Sequence, residues 1–318
     1  MIVAKCPLRI SLVGGSTDTY DFIQKYNKGS VISFTPNIYT FVTIHQSNIK
    51  KYMVNYSKKE VVNTIDEIEN DIVRECFKYF NTKFCTVTFN SNILSSGSGL
   101  ASSSAYTISI IKALSILHSI EMTDIEICNL SFEIEKKFNP LAGMQDIYGC
   151  GIGGFKRIIF EKNKPPSFKF LDLSFITNFY DMYILNTGIV RNSTNVLKTL
   201  SIDKCYPLLE LTNDFENAIC NKNTDNFFSL FNNGWITKKT TSDEITGNQQ
   251  IIKIDQLLSN CDFIHGHKLC GAGGGGYFLI FVSKDKKDNF ESMISCNLQE
   301  NQLINISIDS SGIRGFKL

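Results

Sequence analysis

The residues best suited to chemistry lie between Ser95 and Ala105, SSGSGLASSSA, which runs straight into the helical pattern of Tyr106–Leu117. Glycines let backbone N–H groups turn toward an anion, serine hydroxyls add donors or a metal ligand, and the positive end of a helix favours negative charge. The stretch therefore has the makings of a phosphate cradle. GxxxxGK[ST] occurs nowhere in the chain, so a nucleotide held here is held without a P-loop. By composition alone, a flexible Ser/Gly linker fits as well.

Two further segments are punctuated in the same way. CPLRISLVGGSTD (Cys6–Asp18) is a short strand pattern ending in a Gly-Gly turn and an aspartate, and KLCGAGGGGYFLIFV (Lys268–Val282) is a glycine turn followed by an apolar run of strand length. Gly271–Gly276 satisfies GxGxxG literally, but a dinucleotide fingerprint must open a helix, and here a strand pattern follows. Three such segments at both ends and the middle of one chain suggest a single assembled site.

In order and separation, PLRISLVGGSTD, SGLASSSA and CGAGGGG resemble the three motifs of the GHMP small-molecule kinases. Within that superfamily the chain is most similar to the D-glycero-D-manno-heptose 7-phosphate kinases, with GMQDIYGCGIGGF (Gly143–Phe155), LNTGIVR (Leu185–Arg191) and GWITKK (Gly234–Lys239) as supporting segments. The resemblance implies an α+β fold with a ribosomal-S5-like N-terminal domain, residues 1–168, and a ferredoxin-like C-terminal domain, residues 169–318, with the active site between them. It implies ATP and Mg²⁺ as cofactors and transfer of a phosphoryl group to the anomeric hydroxyl of a heptose 7-phosphate. The same fold also serves kinases of unphosphorylated sugars such as fucose or galactose. A non-catalytic sugar and nucleotide sensor would have lost a catalytic group, and none is missing here.

Residue by residue, the resemblance puts ATP on Ser96, Gly97, Ser98, Gly99, Leu100, Ala101, Ser102 and Ser103. It puts Mg²⁺ on Ser103 and Glu135, the glutamate standing eleven residues before Asp146 as the family spacing requires. Hard oxygen ligands of this kind suit magnesium, which keeps water and phosphate oxygens in its shell. Asp146 is the expected catalytic group for the acceptor hydroxyl, and Arg9 the cation that steadies it or the γ-phosphate. Gly15, Thr17, Asp18, Gly274, Arg191 and Lys238 are expected on the substrate, with Arg191 and Lys238 or Lys239 meeting a phosphate it already carries. The chain departs from the family pattern at Ser95 and Ser96, where proline is usual, and at Ala101 and Ser16, which replace glycines.

These residues must be positioned by ordinary elements. Val31–Gln46 alternates in strand fashion, and Thr86–Phe89 forms a strand just before the cradle. Ile65, Ile68, Ile72, Val73, Cys76, Phe77 and Phe80 recur at helical spacing. Thr123 and Glu126 form a capping box opening a helix whose inward stripe is Ile125, Cys128 and Phe132 and whose end carries Glu135. Gly149–Phe155 is expected as a glycine-rich turn, Phe155–Phe160 as a strand, and KNKPPS, 162–167, as an exposed turn near the domain boundary. The second half predicts a strand at Asp181–Leu185, helices near Pro207–Asn221, Thr224–Phe231 and Gln249–Ser259, a strand at Tyr277–Val282 and a helix over Asp285–Asn297.

Composition excludes several classes of function. A net charge of +1 over 318 residues gives no electrostatic footprint for nucleic acid or an anionic membrane. Apolar runs are strand-sized, and Lys5, Pro7 and Arg9 interrupt the place where a signal peptide needs an apolar core, so a cytoplasmic enzyme is expected, with a homodimer allowed for. The ten cysteines are scattered with no CxxC, as for buried thiols in a reducing compartment. His265 and His267 lack a third ligand for zinc and are expected as loop residues.

Overall fold

The computed structural model describes residues 1–94, 97–190, 196, 199–298 and 302–318. Three sheets organise them. The largest combines β1 (Ile2–Pro7), β4 (Tyr39–Gln46), β5 (Tyr52–Asn55), β6 (Lys59–Val62), β7 (Cys85–Ser91) and β14 (Arg314–Lys317) in the order β14-β1-β4-β7-β5-β6. A second joins β2 (Ile10–Val13), β3 (Lys28–Phe34), β8 (Phe155–Glu161) and β9 (Ser167–Phe170) in that order, all antiparallel. The third contains β10 (Tyr180–Asn186), β11 (Ile264–Leu269), β12 (Tyr277–Ser283) and β13 (Leu303–Ile306), ordered β11-β12-β10-β13.

That last sheet has the strand order of a βαββαβ ferredoxin-like unit, as expected of the C-terminal half. Helices Tyr206–Cys220, Thr224–Lys239 and Gln249–Ser259 fill its first crossover and helix Lys287–Asn297 its second. The boundary expected after residue 168 falls inside β9, and β14 crosses back to pair with β1 through Ile2↔Lys317 and Lys5↔Arg314. The two halves are thus interleaved at both the middle and the end of the chain.

Helix Ser102–Leu117 is the central pillar. It is buried on nearly every side, covering Ile108, Ile110, Ile111 and Leu114 along with Thr107, Ser109 and Ser115, because it lies over β1 and β4 and is flanked by helices Asp71–Phe80, Asp124–Phe138 and Met144–Gly151. Helix Asp124–Phe138 begins at the expected capping box, Glu126 N–H donating to Thr123 Oγ1 and Thr123 N–H to the Glu126 carboxylate. Its inward stripe differs from the expected one. Ile125 is exposed, and Ile127, Cys128, Leu130 and Ile134 are buried.

Other local differences have identifiable causes. The helical spacing from Ile65 to Phe80 is interrupted because Asn70 caps a new helix, its side chain accepting from Val73 N–H; before it lies only a 3₁₀ turn, Ile65–Glu67. Gly149 and Gly151 belong to helix Met144–Gly151 and not to a turn. Their smallness serves packing: a Cβ on Gly149 would come within 3.1 Å of the Arg9 side chain. Val31–Gln46 divides between β3 and β4, in different sheets. His265 and His267 lie on β11 and bond to Ser283 and Asp255, with no metal-ligand cluster among the described residues. No described helix is long and apolar enough to cross a membrane.

The halves are joined by a buried ionic network. Arg157 on β8 donates to Ser30, Glu216, Thr212 and Asn213, fixing helix Tyr206–Cys220 against the second sheet, and Lys169 adds a second bond to Glu216. Lys268 on β11 reaches across to the Leu12 carbonyl at 2.8 Å. Burial pushes its ammonium down to about 7.

Candidate active site

The cradle is built from alternating left-handed backbone. Gly97, Gly99 and Ala101 have φ of 64°, 80° and 66°, which turns the chain tightly into helix Ser102–Leu117. The helix begins without a side-chain cap and without an acidic residue in its first turn, so its orphan N–H groups and dipole remain suited to an anion. Within the loop, Ser98 Oγ receives Leu100 N–H at 3.2 Å and bonds Ser102 Oγ at 2.8 Å. The C-terminal glycine turn closes over it: a Cβ on Gly276 would lie 2.2 Å from the Ser98 carbonyl oxygen. Two of the three glycine-punctuated segments therefore touch. Ser96 lies outside the described residues.

The first motif enters from beneath. Arg9 is 2% exposed; its backbone N–H donates to the Leu100 carbonyl at 3.1 Å and its Nη1 to the Gly99 carbonyl at 2.8 Å. Its Nε and Nη2 both donate to Asp146 Oδ1, at 3.0 and 2.6 Å. Burial works against the Arg9 charge, but the Asp146 carboxylate outweighs it and holds the guanidinium above its ordinary value.

Asp18 is buried at the same place. It accepts from Gln145 N–H at 2.9 Å and from Gln145 Nε2 at 2.8 Å, and desolvation, with Asp146 nearby, raises its carboxyl to about 6. Gly143 is required there, since a Cβ would lie 2.1 Å from Asp18 Oδ2. Gln145 Oε1 is itself buried without a partner. Glu135, from helix Asp124–Phe138, accepts from Ser104 Oγ at 2.7 Å, and burial raises it to about 7.

Arg9, Asp18, Glu135, Gln145, Asp146 and Lys238 line one cavity of about 80 Å³ that Ser16, Gly271 and Ala272 also border. Lys238 is buried, its Nζ donating to Ser16 Oγ. Ser16 has φ of 79°, a left-handed position where the family's glycine would be unstrained.

Several expected residues stand elsewhere. Thr17 is wholly buried, and its hydroxyl receives Ser30 N–H and donates toward the Gly14 and Ser30 carbonyls, so the turn uses it and it does not border the cavity. Gly274 commits its N–H to the Ile245 carbonyl, and Gly271 and Ala272 border the cavity in its place. Gly15 does not border the cavity but packs close to the Gln145 side chain. Lys239 is paired with Asp255 and lies over Trp235. Arg191 lies outside the described residues. Ser103 is exposed on the first helical turn, whereas the serine bonded to Glu135 is Ser104. Ser104 and Gln145 escaped the sequence reading; each adjoins a residue it did identify, on a helix whose facing could have been counted from that neighbour.

The donor set fits magnesium. Among the described residues no cationic side chain pairs with Glu135, a buried carboxylate that lies near Asp146 and is raised by burial, a state that a divalent ion would relieve.

Residues 70–154 match the GHMP kinases N terminal domain. Over 343 aligned residues, covering 100% of this chain and 99% of its relative, the sequence is 24% identical to a D-glycero-alpha-D-manno-heptose 7-phosphate kinase of Campylobacter jejuni. The structure resembles a D-glycero-D-manno-heptose 1-phosphate kinase of Bacteroides thetaiotaomicron, with a TM-score of 0.80, 20% identity and coverage of 100% and 99%. It also resembles the galactokinase of Lactococcus lactis complexed with galactose, with a TM-score of 0.79, 17% identity and coverage of 98% and 95%. Residues 70–154 thus match a GHMP kinase N-terminal domain, within a fold that the chain shares, nearly end to end, with solved small-molecule kinases.

Proposed function

We propose that this protein is an ATP- and Mg²⁺-dependent sugar kinase that phosphorylates the anomeric hydroxyl of a heptose 7-phosphate, giving the 1,7-bisphosphate. The observation that carries the reading is the convergence of Asp146, Asp18 and Glu135 in one cavity whose Arg9 also bonds the cradle. The heptose assignment is supported by the full-length similarity to the Campylobacter jejuni enzyme.

In this reading the cradle 97–103 and the N-terminus of helix Ser102–Leu117 hold the ATP phosphates, and Glu135 with Ser103 would hold Mg²⁺. The ion supplies charge neutralisation on the phosphate oxygens when bound. Arg9 fixes Asp146 through Oδ1, leaving Oδ2 to take the hydrogen bond of the acceptor hydroxyl, orient it and receive its proton late in transfer. Asp18, which borders the cavity and is held by Gln145, accepts from another sugar hydroxyl. Lys238, beside Gly271 and Ala272, lies where it can spread the charge of the transferred group.

A panel of sugars with and without a terminal phosphate, followed by ADP release and by ³¹P NMR of the product, tests this reading. Preferred use of heptose 7-phosphate with a new anomeric phosphate supports it. Preferred use of galactose, fucose or an unphosphorylated heptose would replace it with a neutral-sugar kinase.

A further inference from the structure

The acceptor cavity is too small for the proposed substrate. Ligand sites are usually several hundred Å³, and this one is about 80 Å³, so a heptose phosphate bound with its anomeric hydroxyl at Asp146 must extend into a neighbouring space. One neighbour, of about 320 Å³, shares Asp18 and Ala142 with the acceptor cavity and leads away from the Asp146 and Glu135 carboxylates. It is bounded by Tyr20, Phe132, Lys136, Lys162 and Lys164.

Three ammonium groups, Lys136, Lys162 and Lys164, border this space, with the Asp18 carboxylate on the side shared with the acceptor cavity and Glu161 among the lysines. Lys136, one residue beyond Glu135 on the same helix, holds its ammonium 4.5 Å from the Phe132 ring centroid and 5.7 Å from that of Tyr20. Lys162 and Lys164 come from the turn between β8 and β9, the KNKPPS segment that nothing in the phosphoryl-transfer site uses. Glu161, the last residue of β8, pairs with Lys164 at 3.3 Å. Among the described residues, neither Lys136 nor Lys162 has a carboxylate within salt-bridge distance. Aromatic rings hold Lys136 in place without neutralising it.

We infer that this lysine-walled space, with Lys136 and Lys162 as its principal cations, receives the terminal phosphate of the acceptor while the sugar ring lies over Asp18 and Gln145. A dianion would be repelled by the three carboxylates of the acceptor cavity and drawn to uncompensated ammonium groups on its far side. The inference rests on the heptose-phosphate reading. It moves the phosphate contact away from Lys238, which stands with the glycine turn, to residues that the family motifs do not include.

The experiment compares wild type with Lys136→Met/Lys162→Met on heptose 7-phosphate and on the unphosphorylated heptose. Both lysines are at least partly exposed, so the variant should fold, and a thermal melt checks this. The inference predicts a rise in KM for heptose 7-phosphate of at least about tenfold, the scale of one charge-assisted hydrogen bond, with kcat and the KM for ATP little changed. Preference for the phosphorylated sugar should fall with it, and Lys136→Arg/Lys162→Arg should restore most of the loss. A wild type that prefers the phosphorylated sugar and a double Met variant that keeps that preference would overturn the phosphate seat and leave the function reading standing. A wild type without that preference would overturn both.

Discussion

Arg9 spends two donors on a single oxygen of Asp146, Nε and Nη2 both reaching Oδ1, while its third nitrogen holds the Gly99 carbonyl of the cradle. One guanidinium therefore sets the distance between the glycine-serine loop and the carboxylate proposed to meet the acceptor. The carboxylate is aimed by its neighbour and left with a second oxygen for chemistry.

Replacing Asp146 with asparagine should lower turnover by at least about a hundredfold, the usual scale for a positioned acid–base group, and leave ATP affinity nearly intact. Arg9→Lys should be harmful on both counts, because an ammonium cannot span Oδ1 and the Gly99 carbonyl together. Steady-state kinetics alongside nucleotide binding by calorimetry separates the two. A collapse of ATP affinity in Asp146→Asn with turnover preserved at saturation would place the residue in the nucleotide site.

Glu135→Gln should raise the Mg²⁺ concentration needed for half-maximal activity and lower turnover, since it removes an anionic ligand while keeping its size. Ser103→Ala should act in the same direction more weakly, because water can replace a hydroxyl. Ser104→Ala removes the bond that Glu135 makes inside the protein, so it should perturb stability before it alters the metal requirement. Magnesium titrations and thermal melts of the three variants check this ordering, and an unchanged magnesium dependence in Glu135→Gln would rule out the ligand assignment.

If Asp18 meets the acceptor as proposed, its carboxyl, raised by burial to about 6, should make acceptor binding dependent on pH. It accepts from sugar hydroxyls best when ionised, so KM for the acceptor should rise as pH falls through about 6 and level off above it. Stability runs the other way. A folded-state pKa above the unfolded one contributes stability that is fully present below the unfolded value near 3.8 and is lost as pH rises through about 6. The melting temperature of wild type relative to Asp18→Asn should therefore decline over that window, as differential scanning calorimetry at matched ionic strength would show.

Legibility from sequence followed the range of the forces involved. That Arg9, Asp18, Glu135 and Asp146 gather beside the glycine-serine loop could be read because short motifs encode local backbone turns, and the capping box at Thr123 is a local device too. That the Thr17 hydroxyl turns inward was hidden because it depends on Ser30, in a strand that packs against the turn. The interruption at Asn70 was hidden because apolar spacing continues through it while a side-chain cap restarts the helix. Strands β1, β5, β6, β9, β11, β13 and β14 were missed; β13 and β14 find partners far away in the chain, β10 and β1, whereas β6, β9 and β11 pair with neighbouring strands but are short or carry charged and polar residues that blur the alternation. The lysines around Asp18 come from two distant segments and form no motif.

Ala101 occupies a left-handed backbone position with φ of 66°, where a Cβ costs roughly 1 kcal/mol or somewhat more. Ala101→Gly should relieve that strain at the expense of greater freedom in the unfolded chain, giving a net gain of up to about 1 kcal/mol. Chemical denaturation measures it. A loss of stability would mean that packing of the Ala101 methyl, nearly buried at 8% exposure, outweighs the backbone term.

The pairing of β14 with β1 also orders events during synthesis. Residues 2–5 leave the ribosome early and must wait for residues 314–317 before that edge of the sheet is covered. Until then β1 offers its open backbone edge to any passing strand, the usual route to mispairing and aggregation. The helix Ser102–Leu117, whose N-terminus forms the cradle, packs on this same strand, and β14 also lies against that helix. A nascent chain halted after the glycine turn at Gly276 would thus hold every residue assigned here to phosphoryl transfer and still lack the strand that closes the sheet beneath them.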